Sequence, residues 1–557
     1  MHYNLQKTRT RNILEEANNM SGEMPIIFKA INTIQNTEWI INQDVYNLIK
    51  VCLKNNYRLG NLPVNPDTIE LPPKIGDLKN DKEALKDWKR KANNCYKQRH
   101  KEVSKFIQVH QIMQIASKLL NKSCYFPHQY DFRWRIYPKP ALLNPQGADW
   151  SRTLLTFKYG KRLKTEEALN RLKIAGAGLF GETDKEDLAT RIKWVDDNEQ
   201  KIISTAKNPL EDNWWSSADK PFAFYSWCNE YKKLAEEKFS LQFISSIPIQ
   251  ADCSNSGLQH YSAMLRDEIG GKATNLIQGN KPQDVYGMIA DKVKAKLEKK
   301  KSDNIASLWL AWGIDRKICK KSTMCLPYGL TKYSCRQYLE DEVLKQQKEK
   351  GKPNPFGDNL FKATQYLTPI VWDSIGEIVV GARKVMKYVQ TISRLVASEN
   401  LPVTWITPLN APVQMLNYKM ENKRVKTKMG DSIIKVSIQR ETKNICPRAT
   451  AQSVAPNLIH SIDACLLMKS VVMASERGVD SFSIIHDSFG VVASDYNIMA
   501  KSLRESFIDL YSEDLLKQWS TYMYEMLSDK NKKKFPEIPK QGSLELNDVL
   551  SSEFFCI

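Results

Sequence analysis

The sequence has few of the features that mark a membrane-bound, secreted or zinc-binding protein. It contains no apolar run of the roughly 18 residues that a membrane helix needs, and the mean hydropathy is −0.47, so no membrane span is expected. The opening residues, MHYNLQKTRTRN, lack the apolar core of a secretory signal. Eleven irregularly spaced cysteines, no CxxC pair and only 7 histidines argue against a disulfide framework or a zinc site. A reducing cytosol is therefore the expected environment.

Acidic residues are too few to balance the basic ones. The 557 residues include 82 Lys and Arg against 63 Asp and Glu, for a formal net charge of +19. Such an excess favours a polyanionic partner, because neutralising phosphates releases their counterions. Charge alone does not separate an enzyme that acts on nucleic acid from a simple nucleic-acid-binding protein. No internal repeat or low-complexity linker divides the chain, so its several subdomains are expected to be interleaved in sequence.

A short apolar segment predicts a strand that ends at a carboxylate. Residues 247–252, IPIQAD, have the composition of a strand, and Asp252 is the last of them. Small residues follow, and a helix is predicted over Tyr261–Asp267. Upstream, residues 160–242 are predicted to be helical and, being rich in Trp, to serve packing.

A second carboxylate is predicted at the tip of a hairpin. Residues 481–494, SFSIIHDSFGVVAS, predict strand, tight turn and strand, with His486 and Asp487 at the apex. A single Asp in such a turn usually only caps the local backbone. Asp252 and Asp487 could instead share a pair of divalent ions, and their oxygen ligands suit Mg²⁺. Two such ions activate an attacking hydroxyl and stabilise a pyrophosphate leaving group.

A basic amphipathic helix is predicted within residues 315–329, DRKICKKSTMCLPYG. It places Arg316 and Lys320 on one face, where two cations can hold the β- and γ-phosphates of a nucleotide. A solvated basic helix face is the alternative interpretation. Pro327 is expected to end the helix just before Tyr328, because proline removes an amide donor. Tyr328 at the helix end could then meet a nucleotide sugar or base.

Three segments are candidates for nucleic-acid contact. Residues 130–137, YDFRWRIY, alternate Arg with aromatic side chains, which can pair with phosphates and stack on bases. Residues 83–120 predict a long charged helix, which is either a solvated face or a basic helix against a phosphate backbone. Residues 424–438 predict a basic hairpin with its turn at Gly430 and Asp431. An ordinary surface hairpin and a nucleic-acid-contacting loop are about equally good interpretations of it.

Together, several of these segments resemble the polymerase motifs of phage-type single-subunit RNA polymerases. Three segments carry the resemblance: residues 252–260, DCSNSGLQH; Arg316-x3-Lys320-x7-Tyr328-Gly329; and residues 486–490, HDSFG. Further matches follow the family's order: residues 131–137, DFRWRIY; 144–147, NPQG; Thr407-Pro-x3-Pro412; and 455–461, APNLIHS. The similarity runs from about Met24 to the end of the sequence. It implies an α+β right-hand polymerase fold, with an antiparallel palm sheet and largely helical fingers and thumb.

The resemblance implies a catalytic centre with two Mg²⁺ ions. Asp252 and Asp487 would bind both ions, and the carbonyl of Cys253 would assist Asp252. His486 would lie near the growing 3′ end. The catalytic group would be completed by Lys320 and Tyr328.

The same resemblance assigns residues to the incoming nucleotide. Arg316 and Lys320 would grip the triphosphate, with help from Lys321, and Tyr328 and His460 would sense the ribose 2′-hydroxyl. Contacts to nucleic acid near the site are implied for Arg133, Arg135 and Tyr137. The basic hairpin takes the place of the family's specificity loop, and its nucleic-acid-binding residues would be Arg424, Lys426 and Lys428.

The family also implies a division of the chain, as follows. The expected parts are a remnant N-terminal segment (1–34), a thumb-like helical region (35–120), the first part of the palm (121–160), a helical palm insertion (161–242), the palm with the first catalytic Asp (243–268), the fingers (269–460) with the basic hairpin at about 414–448, and the palm with the second catalytic Asp and the C-terminal segment (461–557).

Three positions favour ribonucleotides over deoxyribonucleotides. Family A DNA polymerases resemble this pattern but carry a Glu where this chain has Gly257, and the small residue leaves room for a ribose. They carry an aromatic residue where this chain has Met324. Their third motif usually reads His-Asp-Glu, whereas this chain has Ser488 in the place of the Glu. RNA synthesis is therefore expected, with a family A-like DNA polymerase as the alternative. A catalytically inactive nucleic-acid-binding protein is a further alternative, which the presence of both aspartates and Lys320 disfavours.

The expected partners follow from the activity. They are a DNA template, nucleoside triphosphates and an RNA product. Family members usually carry a substantial N-terminal domain that binds and melts promoter DNA, whereas only a short segment precedes the first match here. A separate subunit or DNA-binding protein is therefore expected to replace that domain, unless the enzyme starts on open template. The expected location is the cytoplasm of an infected bacterial host, with the protein virus-encoded, in preference to a mitochondrion.

Overall fold

The computed structural model describes residues 11–73, 81–430 and 432–556. Some predictions extend beyond these residues. They concern residues 1–10 of the expected N-terminal segment, residues 74–80 of the thumb-like region, Asp431 in the turn of the basic hairpin and Ile557 at the end of the C-terminal segment.

Helices dominate the described residues, and antiparallel strands accompany them, so the predicted α+β class is confirmed. The first nine α-helices are α1 (Arg11–Asn19), α2 (Pro25–Gln35), α3 (Gln43–Lys54), α4 (Lys82–Leu119), α5 (Asp149–Arg152), α6 (Glu166–Phe180), α7 (Leu188–Asp197), α8 (Glu199–Lys207) and α9 (Pro221–Glu236). They are followed by α10 (Ser256–Leu265), α11 (Glu268–Ala273), α12 (Val285–Glu298), α13 (Asn304–Trp312), α14 (Arg316–Cys325), α15 (Lys332–Lys350), α16 (Leu360–Ile378), α17 (Val380–Ser398), α18 (Pro447–Glu476), α19 (Tyr496–Leu510), α20 (Leu515–Glu525), α21 (Asp529–Lys532) and α22 (Asp548–Ser551).

The strands form one sheet of three strands and five pairs, all antiparallel. They are β1 (Trp39–Ile41), β2 (His128–Tyr130), β3 (Ile136–Pro138), β4 (Leu155–Phe157), β5 (Lys161–Arg162), β6 (Ile244–Ser245), β7 (Ile249–Asp252), β8 (Val403–Ile406), β9 (Pro412–Met415), β10 (Tyr418–Met429), β11 (Ser432–Ile445), β12 (Ser483–Ile485) and β13 (Ser488–Val491).

The three-stranded sheet, in the order β12–β13–β7, brings the two predicted carboxylates together. Ser488 is the register partner of Asp252, and Asp487 precedes it in the tight turn between β12 and β13. His486 enters that turn with φ +54°, in the left-handed region that tight turns require. The backbone N–H of Cys253 donates to the Asp487 carbonyl at 3.1 Å. Both predicted strand ends are therefore confirmed, and they lie side by side.

The helix after Asp252 begins earlier than predicted. The expectation was Tyr261–Asp267, but α10 spans Ser256–Leu265. Asn255 adopts φ +67° just before it, which allows the chain to turn from strand into helix within a few residues. Because α10 starts so early, Gly257 lies in its first turn and not in a loop.

The predicted end of the basic helix is confirmed in outline. α14 ends at Cys325, and Leu326–Tyr328 form a 3-10 turn that contains Pro327. Gly329 follows with φ +84°, a conformation that glycine adopts without strain. Tyr328 is therefore held at the point where the chain leaves the helix.

The long α18 forms part of the core. It is the one helix among the described residues that is long and apolar enough to cross a membrane, with a mean hydropathy of 1.4 over its most apolar part. That part is 78% buried inside the protein, as in the core helix of a globular fold. It packs mainly against α17, α19 and α2.

The basic hairpin and the long charged helix are present as predicted. The pairing of β10 with β11 begins where Tyr418 lies opposite Ile445 and ends where Met429 lies opposite Ser432. Most side chains of the two strands are exposed. Since neither face of this ribbon packs on the core, it is a projecting arm. The charged segment forms α4.

One expectation about the cysteines is wrong. Cys253 and Cys556 form a disulfide with an S–S distance of 2.08 Å, while the other nine cysteines are free. The two residues lie opposite each other in an isolated antiparallel bridge. Their sequence separation is 303, so no local spacing could reveal the pair.

Candidate active site

A cleft of about 690 Å³ gathers the main predicted site residues. Asp252 comes from the end of β7, Asp487 from the β12–β13 turn, and Arg316, Lys320 and Tyr328 from α14 and the turn that follows it. Carboxylates and cations therefore line one cavity. This arrangement suits a substrate that carries phosphates and requires divalent cations.

The two carboxylates differ in their electrostatic environment. Burial raises the pKa of Asp487 to about 7, and the nearby charges of Asp463 and Asp252 add to the effect. Although burial opposes it, the charge of Lys220 lowers the pKa of Asp252. The Lys220 Nζ lies 2.9 Å from Asp252 Oδ2. The concentration of negative charge would favour a bound cation.

These residues fit a divalent metal such as Mg²⁺. Asp252, at the end of β7, and Asp487, in the adjacent β12–β13 turn, supply hard carboxylate oxygens. The Cys253 carbonyl accepts the N–H of Asn255 at 2.9 Å, which leaves a second lone pair for a metal. The raised pKa of Asp487 indicates a carboxylate that needs a positive partner to remain ionised.

The cationic wall is built on α14. Asp315 caps this helix by accepting the Ile318 N–H at 3.0 Å. Arg316 Nε lies 2.9 Å from Asp284 Oδ2, and its guanidinium lies 5.1 Å from the centre of the Tyr286 ring. These contacts leave Arg316 at the cleft in a defined orientation. Lys320, one turn later, is exposed at the same cleft.

Lys321 does not lie at the cleft with Arg316 and Lys320. Its Nζ lies 4.2 Å from the centre of the Tyr338 ring and 3.7 Å from Asp341 Oδ2, both on α15. One residue advances a helix by about 100°, so consecutive lysines point in different directions. The position of Lys321 does not support its expected help at the triphosphate.

Tyr328 and His460 form a stacked pair. Their ring centroids are 4.7 Å apart, and the planes are inclined by 25°. Burial, followed by the charges of Arg135 and Arg133, lowers the pKa of His460 to about 3. Arg133 Nη1 donates to His460 Nδ1 at 2.9 Å. His460 is therefore neutral and carries its proton on Nε2.

Gly257 lies against this pair. A Cβ at this position would be 3.1 Å from the Tyr328 hydroxyl oxygen and 3.0 Å from Pro327 Cβ. Such contacts are closer than side-chain atoms tolerate without movement. The absence of a side chain at residue 257 therefore leaves the space beside the Tyr328 hydroxyl open.

His486 and Tyr137 pack together beside Asp487. Their ring centroids are 4.8 Å apart at 69°, an edge-to-face contact. Burial lowers the pKa of His486 to about 4, and the charge of Arg135 adds to the effect. His486 Nδ1 is buried, and no atom of the described residues forms a hydrogen bond with it. A neutral ring with one free nitrogen therefore borders the site.

Arg135 is committed to a buried ion pair. Its Nη2 lies 2.5 Å from Asp463 Oδ2, and only 13% of its side chain is exposed. Asp463 also accepts from Ser256 Oγ at 2.9 Å and has His260 Nε2 at 3.6 Å. Although burial opposes it, His260 and Arg135 hold the pKa of Asp463 well below its ordinary value. This network joins α10 to α18, and it leaves Arg135 poorly placed for the expected nucleic-acid contact.

Arg133 is also engaged in contacts within the protein. Its Nη2 lies 2.7 Å from Asp131 Oδ2, and it orients His460 as described above. Between the two arginines, Trp134 is fully buried with φ +67°, which is unusual for a bulky residue. Its indole N–H donates to the Pro412 carbonyl at 2.9 Å. The hairpin residues Arg424, Lys426 and Lys428 are exposed, away from the cleft.

Sequence reasoning missed one side of the cleft. Residues 160–242, which were expected only to serve packing, supply several of the cations that line the cleft, and Arg152 lies just before this segment. These cations are Arg152, Arg171, Lys185, Arg191 and Lys220. Asp463 was also missed, although an acidic residue in an otherwise apolar helix was a readable signal.

Comparison with known proteins assigns the family. Residues 162–534 match the family model described as DNA-dependent RNA polymerase, and the chain belongs to this family. The expected resemblance is thus confirmed.

Two phage proteins and one plant mitochondrial protein are among the relatives. T7 RNA polymerase of Escherichia phage T7 is 33% identical over 579 residues, and the DNA-directed RNA polymerase of Enterobacteria phage T3 is 32% identical over 575 residues. DNA-directed RNA polymerase 1, mitochondrial, of Arabidopsis thaliana is 32% identical over 542 residues. Each alignment covers 95% of this chain, but only 64%, 64% and 54% of the respective relative. The chain thus spans less than two thirds of their length.

Among solved structures, one match is the polymerase domain of Pol1 from M. smegmatis in complex with DNA primer-template and dNTP. It covers 64% of this chain and 65% of that one at 11% identity, with a TM-score of 0.27. A likeness at this level supports no conclusion about function.

Proposed function

We propose that this chain is a DNA-directed RNA polymerase that transfers ribonucleoside monophosphates from nucleoside triphosphates to an RNA 3′ end. The observation that carries the proposal is that Asp252, at the end of β7, and Asp487, in the neighbouring β12–β13 turn, line one cleft together with Arg316 and Lys320. Family membership supports the same reaction.

In this proposal, Asp252, Asp487 and the Cys253 carbonyl hold two Mg²⁺ ions. When bound, these ions activate the RNA 3′-hydroxyl and stabilise the pyrophosphate leaving group. Arg316 and Lys320 bind the triphosphate and neutralise the charge that develops as pyrophosphate leaves. The Tyr137 and His486 rings, in edge-to-face contact, border the place of the RNA 3′ end.

Selection of ribonucleotides is assigned to the Tyr328 hydroxyl and the His460 Nε2–H. Both groups can form hydrogen bonds with a 2′-hydroxyl, which is itself a donor and an acceptor. The open space at Gly257 supports this assignment, since a carboxylate side chain there would collide with Tyr328. A family A-like DNA polymerase would need that space filled.

The remaining assignments extend the proposal to the macromolecular substrates. The projecting hairpin presents Arg424, Lys426 and Lys428 to template DNA, and α4 belongs to a thumb that holds the duplex. The palm consists of residues 121–160, 243–268 and 461–557, with residues 161–242 as a helical insertion and 269–460 as fingers. The proposed place of the reaction is the cytoplasm of an infected bacterial host.

The test removes one carboxylate. Asp487→Ala should abolish ribonucleotide incorporation on a primed template, while template binding, measured by fluorescence anisotropy, stays within about twofold of wild type. Asp480→Ala is the matched control, because Asp480 lies nearby in the chain with an exposed side chain and pairs with Lys161. Unchanged incorporation in Asp487→Ala would overturn the two-metal assignment. Incorporation of deoxyribonucleotides in preference to ribonucleotides would instead favour the DNA polymerase alternative.

A further inference from the structure

Lys220 belongs to no motif of the sequence, yet it lies at the proposed metal site. Its Nζ lies 2.9 Å from Oδ2 of Asp252, the carboxylate at the end of β7. The side chains are 34% and 48% exposed, so the pair lies at the open cleft and not in the core. A cation therefore already occupies one side of the carboxylate that the proposed function assigns to a metal ion.

The backbone around Lys220 is fixed. The N–H groups of Asp219 and Lys220 donate to the carbonyls of Phe180 and Leu179, both at 3.1 Å, at the end of α6. Pro221 then starts α9, which is largely buried. These contacts hold the Lys220 backbone in place, so the side chain is the part of this residue that is able to move.

The two carboxylates differ in their charged contacts. Lys220 pairs with Asp252 at 2.9 Å, whereas Asp487 has no ion pair among the residues that the structure describes. One carboxylate is therefore paired with a cation of the chain and the other is not.

We propose that Lys220 is a positioning residue that competes with divalent cations for Asp252 and so weakens metal binding to the enzyme before a nucleotide arrives. An incoming ion must displace the ammonium group from Oδ2, and an ion delivered together with a triphosphate does so more readily because Arg316 and Lys320 hold the phosphates. Lys220 thereby couples metal loading to nucleotide binding. This inference rests on the metal site of the proposed function.

The test measures metal binding directly, with Mn²⁺ as the probe and no nucleotide present. Free Mn²⁺ is followed by electron paramagnetic resonance during titration of the full chain. Lys220→Met should tighten Mn²⁺ binding by roughly three- to tenfold, because removing one neighbouring charge at a partly exposed site has an effect of this order. Lys220→Arg keeps the charge and should bind Mn²⁺ within about twofold of wild type.

Lys233→Met is the matched control. Lys233 lies on α9 and pairs with Asp44, and its replacement changes the net charge equally. Mn²⁺ binding should not change in this variant. Thermal unfolding of all variants checks that the fold is retained.

Failure of this inference is separable from failure of the proposed function. If Asp252→Asn weakens Mn²⁺ binding but Lys220→Met does not tighten it, the metal site stands and the role of Lys220 is wrong. If Asp252→Asn leaves Mn²⁺ binding unchanged, the proposed metal site itself is wrong. Adding a triphosphate should also narrow the difference between Lys220→Met and wild type, and an unchanged difference would contradict the coupling.

Discussion

His460 stacks on Tyr328, with ring centroids 4.7 Å apart, and Arg133 Nη1 donates to Nδ1 of the histidine ring. The stack fixes the direction of the Tyr328 ring and leaves its hydroxyl beside Gly257. A tyrosine held in this way can form a hydrogen bond with a sugar hydroxyl without a large movement. The first two predictions follow from this arrangement.

Tyr328→Phe should relax sugar selection. The ring and its stack on His460 are retained, but the hydroxyl that would bond the ribose is lost. We expect the preference for a ribonucleotide over the matching deoxyribonucleotide to fall by roughly tenfold or more, measured as a ratio of kcat/KM values. Tyr333→Phe is the control, since Tyr333 is exposed on α15 and should not alter the ratio. An unchanged ratio in Tyr328→Phe would contradict the sugar-sensing role.

Gly257→Ala should disturb the stacked pair of Tyr328 and His460. The added methyl would lie 3.0 Å from Pro327 Cβ and 3.1 Å from the Tyr328 hydroxyl oxygen, so Tyr328 must shift. We expect KM for ribonucleotides to rise by roughly tenfold. The control is Gly22→Ala, whose added Cβ has no atom within 4 Å and which does not line the cleft. That variant should keep its KM.

Asp463→Ala should destabilise the protein strongly. It removes the partner of the largely buried Arg135 and the acceptor of Ser256. An uncompensated buried charge costs about 3–5 kcal/mol of unfolding free energy, which chemical denaturation would measure. Asp480→Ala removes an exposed carboxylate and should change stability by less than about 0.5 kcal/mol. Equal stabilities of the two variants would show that Arg135 does not depend on this pair.

His128 should make the fold acid-sensitive. It is buried in β2, its Nδ1–H donates to the Phe126 carbonyl at 2.7 Å, and burial lowers its pKa from 6.5 to about 4. Between these two values the unfolded chain holds a proton that the folded protein does not, so stability falls as the pH drops from about 6.5 towards 4. This residue alone should remove about 3 kcal/mol across that range.

The matched variants for this prediction are His128→Asn and His100→Asn. Asn at 128 keeps an N–H for Phe126 but does not titrate, so the loss of stability between pH 7 and pH 4 should be smaller than in wild type. His100 is exposed on α4, and its replacement should leave the pH dependence unchanged. Identical pH profiles for all three proteins would contradict the assignment.

Local patterns were sufficient to predict the strand ends at Asp252 and Asp487, the basic helix with its proline stop, and the projecting hairpin. Each of these depends on residues close together in sequence. The cleft wall around Lys220 was not predictable, because a lysine before a Trp-rich helix looks like any solvated residue until the fold brings it to Asp252. The direction of Lys321 could have been predicted from helical periodicity, whereas the early start of α10 depends on the backbone conformation of Asn255.

The disulfide between Cys253 and Cys556 has a consequence for chain integrity. Because it joins residues that are 303 apart, it turns more than half of the protein into a closed covalent ring that begins next to Asp252. A protease that cuts an exposed loop once within the ring, for example the tip of the basic hairpin, would leave both pieces attached. Such a nicked molecule should migrate as one band on a denaturing gel until a reductant is added, and then separate into two fragments.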